Sequence, residues 1–129
     1  LMTLQAGYDA EVGVHASALR SQDGSIRMSL TIRNQTDAPI LISHTSGQKL
    51  DFKLFDTKGN NVYTWSADKM FIAALTETGI GAGEEIVFSD TIDGGINELI
   101  STAVSMKAYI VGASEDFMIE VEGYEAQVR

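Results

Sequence analysis

The chain has 129 residues, enough for one globular domain with a sizeable buried core, and it lacks cysteine, which excludes disulfides, thiolate metal sites and cysteine nucleophiles. Hydrophobic residues make up 44% and charged residues 21%, an ordinary balance for a folded domain, and no apolar run approaches the roughly 20 residues needed to span a bilayer as a helix. Eighteen acidic against nine basic residues give a formal charge of −9, which repels phosphate backbones and anionic lipid, so neither nucleic acid nor a membrane is an expected partner.

Taken in chain order, the dominant signal is alternation. The opening segment alternates weakly through Val12, Val14 and Ala16. Ser25 to Arg33 then alternates strictly, with Ile26, Met28, Leu30 and Ile32 on one face and Arg27, Ser29 and Thr31 on the other, the pattern of a strand with one buried side. Asn34-Gln35-Thr36-Asp37-Ala38-Pro39 is a turn, with Pro39 suited to a strand's first position, and Ile40-Leu41-Ile42 follows as a short strand. Ser46-Gly47-Gln48 breaks the run, and Leu50, Phe52 and Leu54 form a third strand. Asp56-Thr57-Lys58-Gly59-Asn60-Asn61 is a turn leading to a hairpin partner, Val62-Tyr63-Thr64-Trp65.

Ser66 to Leu75 departs from alternation and predicts one helical turn or an extended crossover between sheets. Gly79, Gly81 and Gly83 predict a turn, and Glu85 to Ile92 resumes alternation. Val104, Met106, Ala108 and Ile110 give a further strand, and Phe117, Ile119 and Val121 the last. Seven or eight short strands without a long helix predict an all-β, immunoglobulin-like antiparallel sandwich, with residues 1–129 as its single domain.

Catalytic chemistry is not evident. His15 and His44, the two histidines, lie in or beside strands with no ligand spacing, so no metal site is expected. No Gly-x-Ser-x-Gly elbow exists, and Glu84-Glu85 and Glu115-Asp116 read as solvated acids. The 56–61 turn lacks the alternating oxygen ligands and closing glutamate of a calcium loop. The glycines at 79–83 precede no helix that could cradle phosphate. Asn34-Gln35-Thr36 is a formal glycosylation sequon. No catalytic residue, cofactor or metal is assigned, and the chain is not read as an enzyme.

The central third carries a more specific pattern. Ser46-Gly47-Gln48, Asp51-Phe52, Asp56-Thr57-Lys58-Gly59, Trp65-Ser66, Phe71 and Ala74-Leu75 follow one another in the order and spacing of the bacterial intracellular proteinase inhibitor (BsuPI) family, which the chain resembles. Asn34-Gln35-Thr36 upstream and Gly83-Glu84 with Phe88 downstream extend the resemblance over residues 26–90. The chain departs from that pattern at Ser89 to Asp93, where the family often has a tryptophan. It departs again at Ile96 to Ile100, where a Pro-Gly-x-Tyr turn is common. Structural roles are an alternative for each matched residue: positive φ at Gly47 and Gly59, and core filling by Phe52, Trp65 and Phe71.

The resemblance implies a small β-sandwich that inhibits a subtilisin-like serine protease by stoichiometric binding, with a cytoplasmic location. Export behind a removed leader is the alternative location, since the chain opens Leu1-Met2. Subtilisin-like clefts accept large apolar side chains, so Met70 and Phe71, in the segment that breaks alternation, are the expected contact residues. The competing functional reading is a non-inhibitory immunoglobulin-like module that binds another protein. Exposure of the apolar residues at 66–75 favours the inhibitor, and burial favours the scaffold.

Overall fold

In the computed structural model, which describes residues 11–129, nine strands run through the chain with no α-helix among the described residues. They are β1 (Val12–Arg20), β2 (Ile26–Asn34), β3 (Ile40–His44), β4 (Leu50–Phe55), β5 (Asn61–Thr64), β6 (Thr76–Ile80), β7 (Glu85–Ile92), β8 (Ser105–Ile110) and β9 (Tyr124–Gln127). Two 3₁₀ turns, Trp65–Asp68 and Glu98–Thr102, interrupt the connections. The two larger sheets have the orders β1-β2-β7 and β5-β4-β8-β9, and β3-β6 is a third, two-stranded sheet, every pairing being antiparallel.

The inner faces of these sheets share one hydrophobic core, the arrangement of an immunoglobulin-like sandwich. Ile26, Met28, Leu30 and Ile32 of β2 are fully buried, whereas Arg27 and Arg33 on the opposite face are exposed. Phe52 and Leu54 of β4 and Met106 and Ala108 of β8 meet them from the other sheet. Each large aliphatic side chain so removed from water contributes roughly 1.5–3 kcal/mol, which is why period-two patterning fixes the register. The chain's end seals one side of the sandwich. Val128 forms a parallel bridge with Ala18, while the Arg20 amide donates to the Arg129 carbonyl at 2.7 Å.

The strands β3 and β6 pair with each other and prolong the β2–β7 ladder. Residues 35–39 on one strand and 81–84 on the other interrupt a single long ribbon, and Asn34 staples the break. Its side chain is fully buried. The Nδ2 group donates to the carbonyls of Ala38 (2.8 Å), Ile80 (3.0 Å) and Gly81 (3.1 Å), while Oδ1 accepts from the amide and hydroxyl of Thr36. The sequon at this position is therefore a folding element, its amide enclosed and fully bonded. Past the break, Ser43 exchanges two backbone hydrogen bonds with Ala113, tying the ribbon to the sheet that contains β8. Gly112 permits that approach, since a Cβ there would strike the Ser43 carbonyl and the His44 ring.

Two sequence expectations are corrected. Phe117, Ile119 and Val121 do not form the last strand; they lie in the irregular connection after β8, and the last strand is Tyr124–Gln127. Phe117 and Ile119 pack their side chains against the core edge without pairing backbone, while Val121 faces solvent, so their alternation has no ladder behind it. Gly79 lies within β6 rather than in a turn, paired with Leu41. The turn is confined to residues 81–84, where Gly83 adopts φ +76° and Glu84 accepts from the Gly81 amide.

Candidate functional site

The segment between the 3₁₀ turn and β6, residues 69–75, leaves the sandwich as an irregular extended loop. Lys69 already has extended backbone angles, φ −115° and ψ 153°. Beyond it, Met70 is 98% exposed, Ile72 65% and Leu75 83%, and Ala73 and Ala74 are exposed as well. Isolated apolar residues on a surface are commonplace; here several follow one another on one loop. Phe71 differs from its neighbours. It is only partly exposed, its ring lying 6.1 Å from the Trp65 ring centroid.

Trp65 is the keystone of the loop's base. Its ring packs edge-on against buried Phe52, with centroids 6.2 Å apart and planes at 87°, a favoured aromatic geometry. The indole N–H donates to Asp90 Oδ2 at 2.8 Å, fastening the loop base to β7. Lys69 Nζ stands 4.4 Å over the Trp65 ring and donates to the Trp65 carbonyl at 3.1 Å. The aromatic chain Phe52–Trp65–Phe71 therefore runs from the core to the loop. Trp65 and Phe71 are partly buried members of this chain, and only Phe52 is a fully buried core residue.

Asp51 fixes the 3₁₀ turn from beneath. Its Oδ1 accepts from the Ser66 amide at 3.0 Å and the Phe52 amide at 2.9 Å, and its Oδ2 accepts from the Ser66 hydroxyl at 2.6 Å. The Asp-Phe and Trp-Ser pairs of the sequence pattern thus meet in space. On the other flank, the Gly47 amide donates to the Ile72 carbonyl at 2.9 Å, and Thr76 Oγ1 donates to the Ser46 carbonyl at 2.6 Å. A Cβ at Gly47 would lie 2.8 Å from Ile72 Cγ1 and 3.3 Å from its amide nitrogen, so glycine is required by proximity. Its φ is not positive, unlike that of Gly59, where φ is +82°.

The electrostatics around the base are acidic. Burial pushes the Tyr63 hydroxyl above its ordinary pKa, and the nearby carboxylates of Asp68, Asp90 and Asp51 push it further in the same direction, so Tyr63 stays neutral at physiological pH. Neither histidine joins this site. His15 is exposed on β1, and buried His44 spends both ring nitrogens on protein, Nδ1 donating to the Val111 carbonyl (2.7 Å) and Nε2 meeting the Thr78 hydroxyl (2.8 Å). Among the described residues, no group of three or more potential ligands is placed to hold a metal ion, and no helix is long and apolar enough to cross a membrane.

The structure thus separates the two residues singled out from sequence: Met70 is presented to solvent, and Phe71 is held against Trp65. Sequence reasoning missed the contributions of Ile72 and Leu75, and the bracing by Ser46 and Gly47. Two signals were available: Ser46-Gly47-Gln48 and Ala74-Leu75 belong to one family pattern, and both segments break alternation, as loops at one end of a sandwich do.

Comparison with known proteins adds one informative match. The sequence profile of a family described as intracellular proteinase inhibitor (BsuPI) matches residues 12–115. No curated protein matches the chain. Among solved structures, a DUF1425 family member from Shewanella sp. pv-4 is similar at 17% identity and a TM-score of 0.49, over 79% of this chain and 78% of that one. The alkylpurine DNA glycosylase AlkC from Pseudomonas fluorescens aligns at 15% identity and a TM-score of 0.41, over 98% of this chain but 33% of that one. A β-glucosidase from Listeria innocua aligns at 16% identity and a TM-score of 0.37, over 91% of this chain but 16% of that one.

Proposed function

The chain belongs to the intracellular proteinase inhibitor family, and from that membership we propose that it inhibits a subtilisin-like serine protease by stoichiometric binding. The contact is the 69–75 loop, with Met70 and Phe71 at its centre, and the site of action is the cytoplasm. The observation that carries this reading is the exposure of Met70, Ile72 and Leu75 on a loop braced at its base by Trp65 and Gly47. A protease cleft takes its ligand as extended backbone with side chains in alternate pockets. Bracing the loop beforehand lowers the ordering cost of association, which is where rigid inhibitors gain affinity over flexible substrates.

Replacing both Met70 and Phe71 by aspartate tests the loop. The double variant is expected to lose inhibition of a subtilisin-like protease while retaining its far-ultraviolet dichroism. Its melting temperature should fall by only a few degrees, since Met70 makes no core contact and Phe71 is partly exposed. Inhibition undiminished in a folded double variant would place the contact elsewhere on the sandwich.

A further inference from the structure

We propose that Met70 is the side chain that enters the protease's primary specificity pocket, that Met70–Phe71 is the peptide bond presented to the protease serine, and that Trp65 holds both sides of that bond together. This inference rests on the inhibitor reading above and assigns its specificity. Of the two central loop residues, only Met70 is free to leave the protein surface, at 98% exposure. The residues on either side of it are both committed to Trp65. Lys69, before it, caps the ring with its ammonium and donates to the Trp65 carbonyl; Phe71, after it, packs its ring at 6.1 Å. Trp65 is itself fixed by Phe52 and Asp90, and one residue further on the Ile72 carbonyl is held by the Gly47 amide.

That arrangement determines what happens if the bond is attacked. The protease serine Oγ adds to the Met70 carbonyl carbon and forms an acyl ester. The Met70–Phe71 C–N bond breaks, and the serine proton passes through the protease histidine to the Phe71 nitrogen. In an ordinary substrate the new amine diffuses away and water takes its place. Here the Phe71 ring stays on Trp65 and Ile72 stays on Gly47, so the amine remains beside the ester. Its return is intramolecular, and well-oriented intramolecular reactions reach effective concentrations of about 10⁵ M or more. Re-attack restores the peptide bond and returns the proton to the serine, with no co-reactant consumed. The loop is therefore bound as a substrate and regenerated instead of released.

Residue 70 then selects the protease class, and exchanging it tests the assignment. Met70→Glu should weaken inhibition of subtilisin at least about thirtyfold, the loss expected for a buried interface anchor. Met70→Lys should create inhibition of trypsin, whose pocket carries a carboxylate. Both variants should melt with the wild type. After long incubation with subtilisin and denaturation, mass spectrometry of the wild type should find a minor fraction cut into residues 1–70 and 71–129. In Trp65→Ala that cut should become complete and inhibition transient. If wild type inhibits but neither residue-70 variant changes target or strength, or if the cut lies at another bond, this assignment is overturned while the inhibitor reading stands. If wild type inhibits no subtilisin-like protease, both fall together.

Discussion

Asn34 illustrates how much one side chain can carry in a sandwich whose strands change direction. It sits where the β2–β7 ladder gives way to β3–β6, fully buried, with three carbonyls accepting from its amide nitrogen and Thr36 donating to its oxygen. Removing it takes a donor from the buried Ile80 carbonyl and the part-buried Gly81 carbonyl and an acceptor from the Thr36 amide, and each buried polar group so orphaned costs about 1–3 kcal/mol. Asn34→Ala should therefore destabilise the protein by about 3 kcal/mol or more in denaturant melts. Asn34→Asp should be at least as damaging, because it aims a carboxylate at the Ala38, Ile80 and Gly81 carbonyls. A loss below about 1 kcal/mol in both variants would show that the break holds without its staple. The turn was legible in the sequence from its Asn, Asp and Pro. The role of Asn34 was not, because the carbonyls it joins lie up to 47 residues away along the chain.

At the scale of elements, legibility followed how completely a strand's inward residues are apolar. The alternation of β2 and β8 is unbroken, and both were found. By contrast, β6 turns Thr78 and Ile80 inward, with a polar residue and a glycine diluting the pattern. The last strand turns Tyr124 and small Ala126 toward the core, a weaker signal than the Phe117-Ile119-Val121 alternation just before it. The loop at 69–75 was visible only as a departure from pattern, and its exposure depends on long-range bracing that no local rule reports. That bracing is testable at Gly47. Gly47→Ala would press its methyl on Ile72 and shift the loop, leaving the two-sheet core untouched. The variant should melt within a few degrees of wild type, yet inhibit subtilisin at least about tenfold more weakly and be cut faster within residues 69–75. An unchanged loop, by both measures, would mean that Gly47 serves only the turn.

For the whole molecule, the proposed function makes the sandwich the mount of the 69–75 loop. Its two larger sheets share one core, the C-terminal residues clasp β1, and the aromatic chain from Phe52 through Trp65 to Phe71 links that core to the loop. The formal charge of −9 would steer the chain toward a basic partner surface, and association with such a partner should slow as salt rises. Stoichiometric inhibition is examined by an active-site titration. A fixed micromolar concentration of subtilisin is mixed with increasing amounts of the purified chain, and residual peptidase activity is plotted against molar ratio. Stoichiometric inhibition gives a linear fall to near zero that breaks at about one equivalent, with the chain surviving as full-length protein apart from a minor fraction cut at the single contact bond. A flat line, or an early dip that recovers as the chain is digested into small peptides, would contradict it.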